Sequence, residues 1–279
     1  MVWIVMPILI VLMFLLGTDL NKKSFIDVLS NPRAVVVGML GQLVILPFIA
    51  FILAVALKLP PVYFMGILLI ACCPGGSSSN VFTMLAKGDV ALSVTLTAIS
   101  SVVTLFTIPV IMEFAARFVT DLSGIEVHLP FGKLIVQNIL LLFVPLILGV
   151  VFRRFWPETA LNVNKTLGKF AFPALMLLAF VFFMQYTEEI IDNFALLGMT
   201  VAVLMLVAML SSSLLSRVAG SNKAVRRTIV IEVGMQNAAQ AIAIATSPFI
   251  FNSAEMAIPA IIYALMMNVI LLVYVKICK

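Results

Sequence analysis

Apolar positions along this chain run in long unbroken blocks, not at the alternating or three-to-four spacing of half-buried elements. Nine blocks are long enough to cross a hydrocarbon layer of ~30 Å as helices. They cover residues 2–18, 34–57, 63–86, 90–118, 131–152, 167–186, 193–216, 228–248 and 253–275. Stretches such as VVVGML, AVLMLVAML and NVILLVYV are apolar on every side. A membrane β-barrel needs strands of ~10 residues that alternate apolar and polar positions, so the pattern predicts an all-α polytopic membrane protein with nine transmembrane helices. The opening MVWIVMPILI has no basic stretch before its apolar block and no small-residue cleavage site after it, and is expected to be a retained span.

Composition agrees. Hydrophobic residues make up 63% of the 279 and charged residues 10%, against about 25% charged in soluble domains. Lys and Arg accumulate on the cytoplasmic side of membrane proteins. Placing the N-terminus outside and the C-terminus in the cytoplasm puts fourteen of the seventeen inside, leaving only Lys58, Arg117 and Lys133 outside. The net charge of +5 is therefore a topology signal; it does not point to nucleic acid, and the expected location is the inner (plasma) membrane. Cys72 and Cys73 are adjacent on one span and Cys278 lies at the end, so the three offer no disulfide framework and read as packing residues. The sequon Asn164-Lys165-Thr166 falls on the cytoplasmic side and reads as fortuitous.

Polar residues within the blocks carry the chemistry. The third block contains Pro74-Gly75-Gly76 followed by Ser77, Ser78, Ser79 and Asn80. Proline removes a donor and clashes with the preceding turn, and two glycines open conformations closed to other residues. The result is a helix break rich in oxygen ligands. Irregular backbone at membrane depth survives only where protein or a water-filled cavity covers it, so this break is expected to face the interior. The eighth block, TIVIEVGMQNAAQAIAIA, holds Glu232, Gly234, Gln236, Asn237 and Gln240. Glu232 is the one carboxylate of twelve that lies well inside a block and keeps polar company. A charge at that depth costs about 2.5–3.5 kcal/mol on insertion scales, which makes it a functional-site candidate.

Laid on one another, blocks two to four and seven to nine are offset by about 160 residues, with the two breaks opposite each other and the directions inverted. Interrupted helices in corresponding positions of two halves point to a transporter site at the bilayer midplane. One full negative charge among many neutral oxygens suits Na⁺. Ser93 and Thr97, four apart on the fourth block, share a helix face; their hydroxyls either complete such a shell or bond back to their own i−4 carbonyls.

The motifs CCPGGSSSNV, LAKGDVALSVTLTAIS and IEVGMQNAA, in this order and spacing, resemble those of the bile acid:sodium symporter family along nearly the whole chain. The resemblance implies a core domain of two crossing discontinuous helices and their neighbours, residues 34–118 and 193–275, and a panel domain, residues 2–18 and 131–186. It implies one Na⁺ site at Ser79, Asn80, Ser93, Thr97 and Glu232. A second would use Gln42, Glu232, Val233, Met235 and Gln236, the Val233 and Met235 contributions being backbone carbonyls. The substrate's anionic end would meet Ser77 and Asn237. Members more often carry threonine or alanine where this chain has Ser77 and Ser78, a departure that bears on substrate identity.

The function expected is sodium-coupled symport of an organic anion, bile acid-like or a small carboxylate such as pantoate, by alternating access with two Na⁺. Its surroundings are the lipid bilayer, with no obligate protein partner. Two alternatives stand beside it: a proton-coupled carrier or exporter with Glu232 as proton carrier, and a receptor that binds without transport. Enzyme chemistry is not expected, since His128 is the only histidine and no nucleophile and base fall at site spacing.

Overall fold

The computed structural model describes residues 2–19, 32–76, 78–124 and 131–278. Every named element among them is helical. In chain order these are α1 (Val2–Asp19), α2 (Pro32–Ala56), α3 (Pro61–Cys72), α4 (Ser79–Leu85) and α5 (Val90–Ser123). Then follow α6 (Phe131–Asn138 continued through Val144–Phe155), α7 (Pro157–Gln185), α8 (Thr187–Val218), α9 (Lys223–Gly234), α10 (Ala238–Thr246) and α11 (Ile258–Cys278). Among the described residues, five stretches are long and apolar enough by themselves to cross a membrane: Pro32–Ala56, Val90–Leu122, Gly132–Phe155, Ile190–Val218 and Glu255–Cys278.

The third and eighth predicted blocks each fold as two short helices, α3 with α4 and α9 with α10. Both breaks fall where the sequence placed them. α3 ends at Cys72, before Pro74, and α9 ends at Gly234. Side-chain caps restart or start the neighbours. The Asn237 side chain accepts from the Gln240 N–H at the head of α10, Asn222 does the same for Val225 at the head of α9, and Asp89 for Leu92 at the head of α5.

Two helices carry a π-turn, Gly41–Ile45 in α2 and Ile139–Phe143 in α6. Each ends two residues before a proline, Pro47 and Pro145. A proline lacks the N–H for the i−4 carbonyl and its ring crowds that carbonyl; widening the turn relieves both without breaking the helix. In α2 the widened turn carries Gln42, which is buried.

α5 shows why these helices suit lipid. Val102, Phe106, Val110 and Phe114, four apart, are exposed, while Ser93, Thr97, Ser100 and Thr104 are fully buried. Apolar outside and polar inside is the pattern of a helix in hydrocarbon whose interior face serves a site. α1 and α6 cross at closest approach on Gly17 and Gly149: a Cβ at either would run into the carbonyl of Leu146 or Phe14 respectively. Small residues let membrane helix backbones approach this way.

Candidate functional site at the crossing of the broken helices

The two breaks meet. Gly75 and Gln236 form an antiparallel bridge. The Gly76 N–H donates to the Met235 carbonyl at 2.9 Å, and the Asn237 N–H donates to the Pro74 carbonyl at 2.8 Å. This one-rung ladder satisfies backbone groups that the interrupted helices leave without partners, in a setting where each unsatisfied group costs several kcal/mol. Two further groups close the end of α9. The Tyr263 hydroxyl donates to the Gly234 carbonyl at 3.1 Å, and the Gln236 amide donates to the Val233 carbonyl at 2.9 Å.

Glu232 lies at the centre and is fully buried. Its carboxylate accepts from the Ser93 hydroxyl on one oxygen and from the Thr97 hydroxyl, at 2.9 Å, on the other. Ser79, first residue of α4, lies 3.4 Å from both hydroxyls. α4, α5 and α9 thus each supply a side chain to one polar cluster. Gly75 fits against it: a Cβ there would lie 2.6 Å from Glu232 Oε2 and 3.3 Å from both Gln42 Nε2 and Thr97 Oγ1. Gln42 therefore reaches the same place from the π-turn of α2.

The structure brings Gln42, Ser79, Ser93, Thr97 and Glu232 together, with Gln236 on the bridge beside them. Asn80 follows Ser79 on α4, and its buried Oδ1 has no partner. Asn237 sits at the crossing as the cap of α10. The Val233 and Met235 carbonyls both accept hydrogen bonds, from Gln236 and Gly76. Ser77 lies outside the described residues. Pro74, Gly75 and Gly76 form the break itself.

Sequence reasoning passed over Thr83 and Ser100. The Thr83 hydroxyl, fully buried, donates to Ser93 at 3.3 Å, and the Ser100 hydroxyl accepts from the Gly75 N–H at 3.4 Å. The signal was helical spacing: Thr83 is four residues past Ser79, and Ser100 continues the Ser93 and Thr97 face.

Several buried amide atoms here have no hydrogen-bond partner among the described residues: Gln42 Oε1 and Nε2, Asn80 Oδ1, Gln236 Oε1 and both side-chain atoms of Gln240. Buried polar atoms are normally paired. Oxygens left in this way beside a carboxylate are what a hard cation takes as ligands.

The head of α9 is pinned by backbone-directed contacts. The Thr228 hydroxyl accepts from the Asp89 N–H at 2.7 Å, and Arg227 donates to the carbonyls of Ala86 at 3.0 Å and Cys278 at 2.7 Å. These tie the head of α9 to the turn between α4 and α5, and so hold Glu232 against Ser93 and Thr97.

Residues 6–219 match the model of the Sodium Bile acid symporter family. The chain is 28% identical to the uncharacterized sodium-dependent transporter YocS of Bacillus subtilis over 92% of its own length and 77% of that protein. It is 30% identical to the probable sodium/metabolite cotransporter BASS1 of Arabidopsis thaliana, over 84% of this chain and 57% of the plant protein. It is also 30% identical to the human ileal sodium/bile acid cotransporter, over 82% of this chain and 65% of the human protein. The chain thus spans little more than half of the plant relative and just under two thirds of the human one. These relatives are named as transporters, in keeping with the sequence-based expectation that the chain is not an enzyme. On the family match and the extent of these similarities, the chain belongs to the Sodium Bile acid symporter family.

Proposed function

We propose that this chain is a secondary active symporter that couples Na⁺ to the movement of an organic anion by alternating access. The observation that carries the reading is a fully buried carboxylate, Glu232, at the crossing of two broken helices, with unpartnered amide oxygens around it. One Na⁺ is assigned to Ser79, Asn80, Ser93, Thr97 and Glu232. The other is assigned to Gln42, Glu232, Gln236 and the Val233 and Met235 carbonyls, whose second lone pairs are free to serve after the first has accepted a hydrogen bond. Asn237 and Ser77 are assigned to the anionic end of the substrate, a bile acid-like or small carboxylate such as pantoate.

The electrostatics give coupling its content. Two cations beside one carboxylate leave a net positive site, so an organic anion is held only once the ions are present, and by linkage the anion must tighten ion binding in return. With a monovalent anion the cycle carries one net positive charge inward, worth ~2.3 kcal/mol per 100 mV, and is electrogenic.

The mechanical scheme assigns residues 34–118 and 193–275 to a core of inverted repeats and residues 2–18 and 131–186 to a panel that rocks against it. Nine spans, the N-terminus outside and the C-terminus in the cytoplasm complete the scheme, in a plasma membrane. The close Gly17–Gly149 crossing supports treating α1 and α6 as one rigid unit.

The test is thermal stabilisation of the purified chain across a panel of organic anions, with Na⁺ and with K⁺ replacing it. Na⁺ is expected to stabilise the protein alone and to be required for anion stabilisation. An anion that stabilises equally in both salts would reject the coupling.

A further inference from the structure

The ion assignment uses Ser79, Ser93, Thr97 and Glu232 and leaves aside the layer that covers them. That layer is thin at one end. Thr228 precedes Glu232 by four residues on α9, and Asp89 precedes Ser93 by four at the head of α5, a rise of about 6 Å in each case. Thr83, Ser93, Thr228 and Glu232 are fully buried, whereas Gly88 and Asp89 are part-exposed. Gly88 stands over the buried group: a Cβ there would lie 2.8 Å from both Thr228 Oγ1 and Thr83 Cγ2. Thr83 turns its methyl toward Gly88 and its hydroxyl to Ser93, 3.3 Å away, and Ser93 donates to Glu232. Asp89, Thr228, Thr83, Ser93 and Glu232 thus line one column of oxygens, closed by a glycine backbone and one methyl group.

The closure is a turn, residues 86–89. Lys87 there has a φ of 55°, in the left-handed region where a side chain is strained, and strain of this kind concentrates at switch regions. The Gly88 N–H donates to the Thr83 carbonyl at 2.8 Å, Asp89 exchanges two bonds with Thr228, and Arg227 donates to the Ala86 carbonyl. In the other direction from Glu232 lies the crossing, held by the Gly76–Met235 and Asn237–Pro74 bonds. Bonds parted at the crossing would leave backbone groups unpaired in the interior. Bonds parted at the turn are met by water, since Lys87 is exposed and Asp89 part-exposed. The turn is the weaker wall.

We infer that this turn is the gate through which the ion at Ser79, Ser93, Thr97 and Glu232 exchanges with water, and that Asp89 is a transient cation ligand at its mouth. The inference rests on the symport reading and names the ion's route. Asp89 caps α5 with Oδ1, which accepts from the Leu92 N–H at 3.0 Å; its second oxygen remains for a hard cation. Lys87 and Arg227 flank the turn, so Asp89 supplies the negative charge there. A cation stepping from Glu232 past Ser93, Thr83 and Thr228 to Asp89 keeps oxygen ligands at every stage and is never a bare charge in the interior. Closely spaced weak sites let an ion both enter and leave.

The experiment follows Thr83→Cys in the purified full chain with a small cationic and a small anionic thiol reagent in K⁺ buffer, the modified residue being identified by peptide mass. The cationic reagent is expected to react at least tenfold faster than the anionic one, and saturating Na⁺ should suppress it. Adding Asp89→Asn keeps a good capping residue and removes the charge. The preference for the cationic reagent should then fall at least fivefold, with the midpoint of Na⁺ stabilisation within twofold of the unaltered chain. Asp89→Glu, which keeps the charge and gives up the short capping stem, should retain the preference. A capping role alone predicts the reverse order. A second readout needs no cysteine: in proteoliposomes loaded with subsaturating radiolabelled Na⁺, Asp89→Asn alone should slow efflux at least threefold. The inference is overturned if the introduced thiol reacts with neither reagent or with both alike, if Asp89→Asn keeps the preference, or if it leaves efflux unslowed. Failure of the symport reading is separate: the unaltered protein would then show no stabilisation by Na⁺.

Discussion

Gly75 stands directly against Glu232, so close that a methyl group on the glycine would lie 2.6 Å from the carboxylate oxygen Oε2. Only hydrogen fits between the first break and the charge of the second. Gly75→Ala must therefore push Glu232 off its position or part the Gly75–Gln236 bridge. Overpacking of this kind costs about 1–3 kcal/mol. The variant is expected to fold with a lower melting temperature and to lose at least tenfold in apparent Na⁺ affinity, measured by thermal shift against Na⁺ concentration. Unchanged Na⁺ affinity would show that the crossing has room this geometry denies.

Glu232→Gln keeps size and removes charge. At a Na⁺ concentration of 100 times the dissociation constant, ligand binding stabilises a protein by about 2.7 kcal/mol. That increment should vanish in the variant, and melting in Na⁺ and in K⁺ should coincide. Persistence of the Na⁺ increment would remove Glu232 from the ion site.

Thr228→Val tests the brace that holds α9 in register. Its hydroxyl accepts from the Asp89 N–H at 2.7 Å and donates back to the Asp89 carbonyl at 3.1 Å. Loss of a buried partner costs about 1–3 kcal/mol. We expect a drop of that size in unfolding free energy together with weaker Na⁺ binding, since the brace sets the approach of Glu232 to Ser93 and Thr97. A variant destabilised by that amount yet binding Na⁺ as before would make the brace purely structural.

Gly17→Val or Gly149→Val would place a branched side chain into a neighbouring backbone carbonyl at the α1–α6 crossing. Neither backbone can yield as a flexible side chain would, so each variant should separate the helices. Expression and monodisperse yield in detergent should fall severalfold, while Gly132→Ala, where an added Cβ meets nothing within 4 Å, should leave both unchanged. Equal yields for all three would contradict the close approach.

Ser247→Ala removes the hydrogen bond to Gln137 that joins the chain after α10 to α6. In the proposed scheme this bond spans core and panel on the outer side and must part when that side opens. A cysteine introduced at Ala238, buried at the crossing, should react faster with an impermeant thiol reagent in the Ser247→Ala background. An unaltered rate would mean that the bond takes no part in closing the outer side.

Much of the site was legible because bilayer physics makes intramembrane polar residues conspicuous. Glu232 stood out as the single carboxylate deep in an apolar block, and Pro74-Gly75-Gly76 could only be a break. Thr83 and Ser100 were not singled out, because a hydroxyl in a membrane helix can bond its own backbone; Thr95 does so with the Ala91 carbonyl at 2.8 Å. Nothing in composition separates that use from the bond Thr83 makes to Ser93. The π-turn at Gln42 was equally silent, since a proline five residues on reads as a kink whichever way the helix accommodates it.

The sequence by itself determined the solvent of this protein, the two places where its helices must break and the charge that must be accommodated there. These are local consequences of hydropathy, of proline and glycine stereochemistry and of the cost of a carboxylate in hydrocarbon. Only the tertiary structure decided that the breaks pair through Gly75 and Gln236, and that Ser93 and Thr97 point their hydroxyls at Glu232. It also decided that Gln240 is left without a partner. Those outcomes depend on how helices 139 residues apart in sequence are turned about their axes, and that rotation is set by packing among all of them at once.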